Sequence, residues 1–567
     1  MTRWGMVLGL GSALLLGGPA QGAEPDGPDE LISRTDAVYV SIQEKLASKG
    51  RELGADKGEQ VALTAYYSNR GAGLLWVTET GLTPRAAQLR KVFAQADEWG
   101  LNSADYRVAD GDGLKRASGQ PAEWLAEAEL RTSLAAILYS RHAQAGRIEP
   151  TSLDEEFLDL KPARPDPLAV MKGLANAGDQ LGSFLEGFHP QTEQFRILKQ
   201  RLADIRGRGP QKDAIRIPNG PQLKPGISHP QVALLRQRLA VPTSSDVMSD
   251  SPSEEFYDDS LAEAVRDFQT RSGLPGKGIV NAATRDALNK GVKAADASNI
   301  LVNMERWRWE PREFGNRYIV VNIPEYLVRV IDNGRLVHEE RIVTGSPQHR
   351  TPVFSDEMEY VVFNPYWNVP ESILLKEILP AVRRNPEFFQ RNNLEVVWQG
   401  RQTVDPYMVD WEAVNPAKVS LRQPPGPSNA LGQIKFLFPN KHAVYMHDTP
   451  TKKLFNENTR AFSHGCMRVR NPVRFAEILL GEQGWSPAKV RQALDTTEDY
   501  QVTLDRKVPV HIMYFTLWGD RSGNLKEFGD VYDYDDKLKL ALKLQSPPKA
   551  IHKQPKTVDP GENGMGN

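Results

Sequence analysis

The chain has one cysteine in 567 residues. An internal disulfide is therefore excluded, and so is any metal site built on paired cysteines. Charge of one sign is also lacking. With 70 Lys and Arg against 72 Asp and Glu the net is −2, which gives no electrostatic case for a nucleic-acid partner. No His-Glu-x-x-His helix is present, so a zinc peptidase has little support. Beyond the amino terminus no run is apolar enough to span a bilayer. What remains is a globular balance, 40% hydrophobic and 25% charged with 45 Gly and 40 Pro. At roughly 100–200 residues per domain this length suits three or so domains, and a wholly disordered, collagen-like or coiled-coil chain is excluded.

Arg3 gives a short basic start, Met6 to Gly18 is apolar over the length of a signal h-region, and Pro19 to Ala23 offers small residues for cleavage. We read residues 1–23 as a secretory signal peptide cleaved near 22 or 23; the alternative, an uncleaved anchor, is short of the ~20 residues a span needs. An exported protein matures under oxidising conditions, where cysteines usually pair. The lone thiol is then buried packing, an intermolecular bridge or a reactive nucleophile.

Residues 24–30 form a flexible lead-in. From 31 to 206 the pattern is helical, as in Pro84 to Trp99 and Ala122 to Gln144, where Leu134, Ile137 and Leu138 recur at helical spacing. This part carries no catalytic constellation and reads as a scaffold. Gly207 to Gly226 is the best linker. Val232, Leu235 and Leu239, then Leu261, Val265 and Phe268, mark two amphipathic helices around a polar loop from Pro242 to Glu255, and Ala282 to Leu288 a third.

From Asn316 the period becomes that of strands, at Tyr318 to Ile323, Leu327 to Ile331 and Glu340 to Thr344. Asn333-Gly334 supplies the pair a type I′ hairpin needs. Residues about 370–425 read as a more helical insertion, either a lid or a solvated decoration. Strands resume at Gln433 to Phe438, Ala443 to His447 and Val508 to Thr516. Residues 544–567, rich in Pro, Lys and Gly, read as a disordered tail.

A nucleophilic thiol needs a base, positive character, oxyanion donors and access. Cys466 sits in Ser463-His464-Gly465-Cys466-Met467-Arg468-Val469, which supplies His464 two residues before it, a close backbone at Gly465 and a charge at Arg468. His447 ends a strand on which Ala443, Tyr445 and His447 would share a face. Either histidine can be the base on this reading. Asn471-Pro472 reads as a helix cap followed by proline at the first helical position.

These residues carry two resemblances. Leu-Arg-Gln-Arg-Leu (235–239), Ala-Val-Arg-Asp-Phe-Gln (264–269) and Gly-Ile-Val-Asn-Ala-Ala-Thr (278–284) resemble the three-helix peptidoglycan-binding module, here 227–290. Tyr445-Met446-His447-Asp448-Thr449-Pro450 followed by the segment 463–469 resembles the signature of the YkuD-type L,D-transpeptidases. Val320 to Pro324, Thr344-Gly345 with Thr351-Pro352, Asn364 to Pro370, Pro424 to Pro427 and Asn429 to Lys435 agree with it. The order of parts resembles the large YcbB-like branch of the Gram-negative periplasm.

The resemblance implies an α+β multidomain chain: helical scaffold (31–206), peptidoglycan-binding module, and a mainly-β catalytic domain (316–536) with an inserted lid. It implies that Cys466 attacks the carbonyl between the third and fourth residues of a peptidoglycan tetrapeptide stem, releasing D-alanine and forming 3-3 crosslinks through a thioester. His447 is then the base; Ser463, His464 and Gly465 shape the site, with amides near Gly465 and Cys466 as oxyanion donors. Arg468 would orient a substrate carboxylate, although many relatives carry Asn there, and Tyr445 would line the pocket. No cofactor or metal is implied. Donor and acceptor stems, peptidoglycan synthases as partners and carbapenems as inhibitors are, and so are roles in cell-wall remodelling and cell shape.

Other readings stay open: an L,D-carboxypeptidase or other hydrolase on the same thiol, a lipoprotein-anchoring transpeptidase, or a non-catalytic wall-binding scaffold, against which the intact Cys466 and His447 argue. Ser486-Pro487-Ala488-Lys489 matches a serine-enzyme motif by letter but reads better as a helix cap with proline after it. Trp307, Trp309 and Trp367 read as packing rather than sugar platforms.

Overall fold

The structure is a computed structural model that describes residues 34–545 apart from 50–52, 110–120, 208–216, 218–220, 244–253, 282, 286, 289–296, 386 and 521–522. The leader (1–23) lies outside the described residues, as do all but the first two residues of the tail and most of the linker and of the 242–255 loop.

The amino-terminal part is helical: α1 Arg34–Lys49, α2 Lys57–Ser68, α3 Pro84–Ala94, α4 Pro121–Ala145, α5 Pro167–Asn176 and α6 Glu193–Gly207. Local chemistry sets the boundaries. Asp56 and Glu59 form a reciprocal capping box at the start of α2, with bonds of 2.8 and 2.9 Å. The stripe expected on α4 is off centre. Leu134 and Leu138 are only half-buried, while Glu129, Ser133, Ala136 and Tyr139 face inward. Glu129 is the reason, because its carboxylate accepts the amides of Leu75, Trp76 and Val77 at 2.7, 2.8 and 3.1 Å and so stitches an irregular segment to the helix.

The module's two leading helices are α7 Pro230–Leu239 and α8 Asp259–Arg271. Val232, Leu235, Leu261 and Val265 are buried between them, and Arg236 pairs with Asp258 at 2.5 Å. The third expected helix is described only in part.

Helix α9, Ala297–Trp307, leads into the catalytic strands. These are β1 Arg317–Asn322, β2 Leu327–Asp332, β3 Arg335–Gly345, β4 Phe354–Phe363, then β5 Trp367–Asn368, β6 Glu395–Trp398, β7 Gln402–Val404 and β8 Val419–Gln423 inside the insertion. There follow β9 Ile434–Leu437, β10 Met446–His447, β11 Ala461–Ser463, β12 Met467–Val469, helices α10 Pro472–Leu480 and α11 Pro487–Asp495, and β13 Tyr500–Met513. The main sheet runs β11-β3-β12-β10-β9-β4-β13-β1-β2, and β2 also pairs with β3, so the ladder closes on itself around an apolar core. Asn333 (φ 47°) and Gly334 (φ 74°) make the left-handed pair at the β2–β3 turn.

Three differences from the sequence reading have local causes. The insertion carries a sheet that the sequence reading did not include: its helical run from Glu371 to Arg384 sits on an antiparallel sheet β5-β8-β6-β7 with its own core around Leu379, Phe389, Val396 and Trp411. Ala443 does not share a strand with His447, because its φ of 53° turns the chain before Tyr445. Strand β13 begins at Tyr500, where Tyr500–Thr503 pair with Phe363–Tyr360 ahead of a register shift.

The scaffold grips the catalytic sheet directly. The amide of Val353 donates to Phe157 O at 2.7 Å, that of Asp159 donates to Val353 O at 3.0 Å, and Asp154 pairs with Arg350 at 2.7 Å. Trp307 and Trp309 are buried, Trp307 stacked on Phe515 at 4.4 Å, and Trp367 is half-buried in β5; the two former are packing residues. No helix among the described residues is long and apolar enough to cross a membrane.

Candidate active site

Register assembles the site. Strands β10 and β12 run parallel, with Met446 opposite Met467 and His447 opposite Arg468; one step back, the Met467 amide donates to Tyr445 O at 3.0 Å. On β9, Lys435 is opposite His447 and Phe436 opposite Met446. Phe436, Met446 and Met467 are wholly buried in the core. Side chains alternate along strands, so Lys435, Tyr445, His447, Cys466 and Arg468 occupy the other face together. Cys466 and His447 are diagonal neighbours on adjacent strands, with Cα atoms separated by roughly 8 Å on ideal strand spacings, a gap that a thiol and an imidazole can close between them.

His447 is buried and its Nδ1 lies 2.5 Å from Asp448 O. A carbonyl only accepts, so Nδ1 carries the proton and Nε2 keeps its lone pair, the tautomer of a general base. Burial, with help from the Arg468 charge, lowers its pKa to about 3, so the ring is neutral at rest. Cys466 is half-buried. Burial pushes its thiol up to about 11, opposed by hydrogen bonding to Tyr445 and by the charges of Lys435 and Arg468. The resting pair is thus neutral thiol and neutral imidazole, not a preformed ion pair.

The turn bearing Cys466 is held from beneath. Gly465 has φ 109°, a conformation that favours glycine. Its carbonyl accepts the Thr351 hydroxyl at 2.7 Å, and Thr351 Oγ1 accepts the Gly345 amide at 2.8 Å. Tyr532 completes the cradle: its hydroxyl donates to Gly345 O at 2.7 Å and accepts the Thr351 amide at 3.0 Å. Both Thr351 and Tyr532 are wholly buried. A Cβ on Gly345 would lie 2.1 Å from His349 O, so the crossing has room for glycine alone.

The remaining motif residues separate by environment. Ser463 is buried at the end of β11, its carbonyl accepting the Ser346 amide at 2.8 Å. His464 points outward, stacked on His349 at 4.5 Å and paired through Nε2 with Glu377 of the insertion at 2.9 Å. Tyr445 lies edge-on to His447 at 5.7 Å and beneath the Lys435 amine at 4.0 Å. Arg468 has its Nε buried without a partner. Among the described residues neither Arg468 nor Lys435 pairs with a carboxylate within 4 Å. A cavity of about 420 Å³ opens at the end of β10, lined by Asn364, Gly426, Gly432, Asp448, Lys452 and Thr496.

Sequence reasoning missed Lys435, Thr351 and Tyr532 as members of this assembly. Lys435 and Thr351 stood inside quoted motif segments without a role, and only strand register could have singled out Lys435. No group of three or more His, Cys, Asp or Glu among the described residues can hold a metal ion.

Three family models match parts of the chain. Residues 316–499 match the family model YkuD, described as the L,D-transpeptidase catalytic domain. Residues 228–288 match a family described as "Putative peptidoglycan binding domain" and residues 61–202 one described as "Scaffold domain". The chain is thus a mixed helical and β protein carrying an L,D-transpeptidase catalytic domain of the YkuD family together with a peptidoglycan-binding domain. It is 34% identical over 273 residues to a Haemophilus influenzae protein named "Putative L,D-transpeptidase", an alignment covering 47% of this chain and 55% of that protein. The chain thus spans about half the length of the curated relative it matches. Among solved structures it is similar to an L,D-transpeptidase from Xylanimonas cellulosilytica (15% identity, 52% of this chain and 99% of that one, TM-score 0.15). It is also similar to one from Stackebrandtia nassauensis (13% identity, 55% and 98%, TM-score 0.16).

Proposed function

We propose that the protein is a peptidoglycan L,D-transpeptidase that forms 3-3 crosslinks through a Cys466 thioester. The observation that carries this reading is the shared strand face of Tyr445, His447, Cys466 and Arg468, with His447 in the tautomer of a base. His447 Nε2 takes the thiol proton as the sulfur attacks the carbonyl between the third and fourth residues of a tetrapeptide stem. Amides of the Gly465–Cys466 turn donate to the oxyanion. As the C–N bond breaks, His447 returns the proton to the leaving amine, D-alanine departs and the thioester remains. The acceptor amine then loses a proton to His447 and attacks the thioester, releasing the thiolate.

Arg468, half-buried with its Nε unpartnered and no carboxylate partner among the described residues, suits a substrate carboxylate. The His464–Glu377 contact ties the insertion to the motif, which supports a lid that excludes water and favours an amine acceptor over hydrolysis. Export to a periplasm, work beside peptidoglycan synthases in cell-wall remodelling and cell-shape maintenance, and acylation of the thiol by carbapenems belong to the same proposal.

The test is incubation of the purified chain with disaccharide-tetrapeptide and separation of the products by mass. Crosslinked dimers with loss of D-alanine are expected. Tripeptide alone would replace this reading with an L,D-carboxypeptidase, and unchanged substrate would overturn both.

A further inference from the structure

A thiol that sheds its proton inside a half-buried site needs a fixed positive charge, because burial disfavours the anion. His447 becomes cationic only in the step that creates the thiolate, so it cannot favour that anion beforehand. The groups facing Cys466 are therefore decisive. From β10 comes His447, with Tyr445 just before it, from β12 Arg468, from β9 Lys435, and Asp499 precedes β13. Asp448, next along, is already paired with Lys452.

Lys435 stands out among them. It is opposite His447 in the ladder, its amine lies 4.0 Å over the Tyr445 ring, and it forms no ion pair with a carboxylate within 4 Å among the described residues. Tyr445 in turn hydrogen-bonds Cys466. A lysine amine brought out of water in this way costs free energy unless an anion answers it. Its pKa is lowered by burial, and Cys466 is the first charge that opposes the fall, ahead of Asp499.

We propose that Lys435 is the cation that stabilises the Cys466 thiolate during acyl transfer, an assignment that rests on the acyl-transfer reading above. When the S–H bond breaks, the electron pair stays on sulfur beside Lys435 and the proton passes to His447 Nε2. Once the sulfur has bonded to the carbonyl carbon it is neutral, while Lys435, Arg468 and the imidazolium are all positive. Their repulsion drives the proton from His447 onto the leaving amine as its C–N bond breaks and the thioester forms. One lysine thus favours the anion in the first step and expels the proton in the second.

Because the chain has one thiol, its alkylation by iodoacetamide reads Cys466 alone and needs no wall substrate. Lys435→Met should lower the alkylation rate at pH 8 by about tenfold or more and move the rate profile to higher pH, while Lys435→Arg stays within about threefold of wild type. Wild-type alkylation in a folded Lys435→Met protein would overturn the proposal. If Lys435→Met shows no cooperative melt, acetyl-lysine placed at 435 keeps the stem and removes the charge, and the same two outcomes decide. A slowed thiol in Lys435→Met, with a wild-type chain that makes no crosslinks, would leave Lys435's role standing and remove only the transpeptidase reading.

Discussion

The hydroxyl of Thr351 donates to the carbonyl of Gly465 at 2.7 Å, and through that bond a buried residue just before β4 fixes the turn that presents Cys466. The same oxygen accepts the Gly345 amide, so removing it strands a donor and an acceptor at once. Thr351→Val should therefore cost about 1–3 kcal/mol in stability and lower kcat/KM at least about tenfold, whereas Thr351→Ser should retain most of both. Urea unfolding and steady-state kinetics on the two variants check this.

Gly345→Ala should be more severe. Its added methyl would meet backbone at His349 and Thr351 rather than a side chain able to swing away. A loss of at least about 2 kcal/mol is expected, read as a fall in the urea midpoint.

Proton linkage at His447 has a definite sign. Its pKa falls from 6.5 to about 3 on folding, so between those values the unfolded chain binds the extra proton and stability rises with pH. His447→Gln, which keeps a donor for Asp448 O, should flatten that rise by up to about 1.4 kcal/mol per pH unit. Unfolding free energies from pH 4 to 7 measure it, and an unaltered slope would contradict a buried neutral ring.

The pair between His464 Nε2 and Glu377 is exposed on both sides, with 41% and 49% of the side chains accessible, so it adds well under about 1 kcal/mol. Glu377→Gln should leave the melting temperature nearly unchanged. If the insertion works as a lid, the variant should raise KM for the donor stem and the share of hydrolysed product, while iodoacetamide still alkylates Cys466 at the wild-type rate.

Features set by neighbours in the chain were legible in the sequence. Asn333-Gly334 makes its turn because both residues tolerate positive φ, and Ser486 caps α11 by accepting the Lys489 amide at 3.2 Å. Asn471 likewise accepts the Arg474 amide at the start of α10. Features set by register and long-range contact were hidden. Thr351 reaches Gly465 across 114 residues and Tyr532 reaches Gly345 across 187. Lys435 joins the site only because β9 pairs with β10 in one register, and a slip of one residue would have turned it into the core. The small sheet of the insertion was hidden because its strands are two to five residues long and pair only with each other, behind a helical run that comes first in the chain.

The central claim is that Cys466 carries the acyl group. Acid-quenched intact-mass analysis during turnover of disaccharide-tetrapeptide tests it most directly. The account predicts an adduct equal to the donor less D-alanine, located on the peptide containing Cys466 and missing in Cys466→Ala. Turnover with Cys466 unmodified throughout, or an adduct that persists in Cys466→Ala, would contradict it.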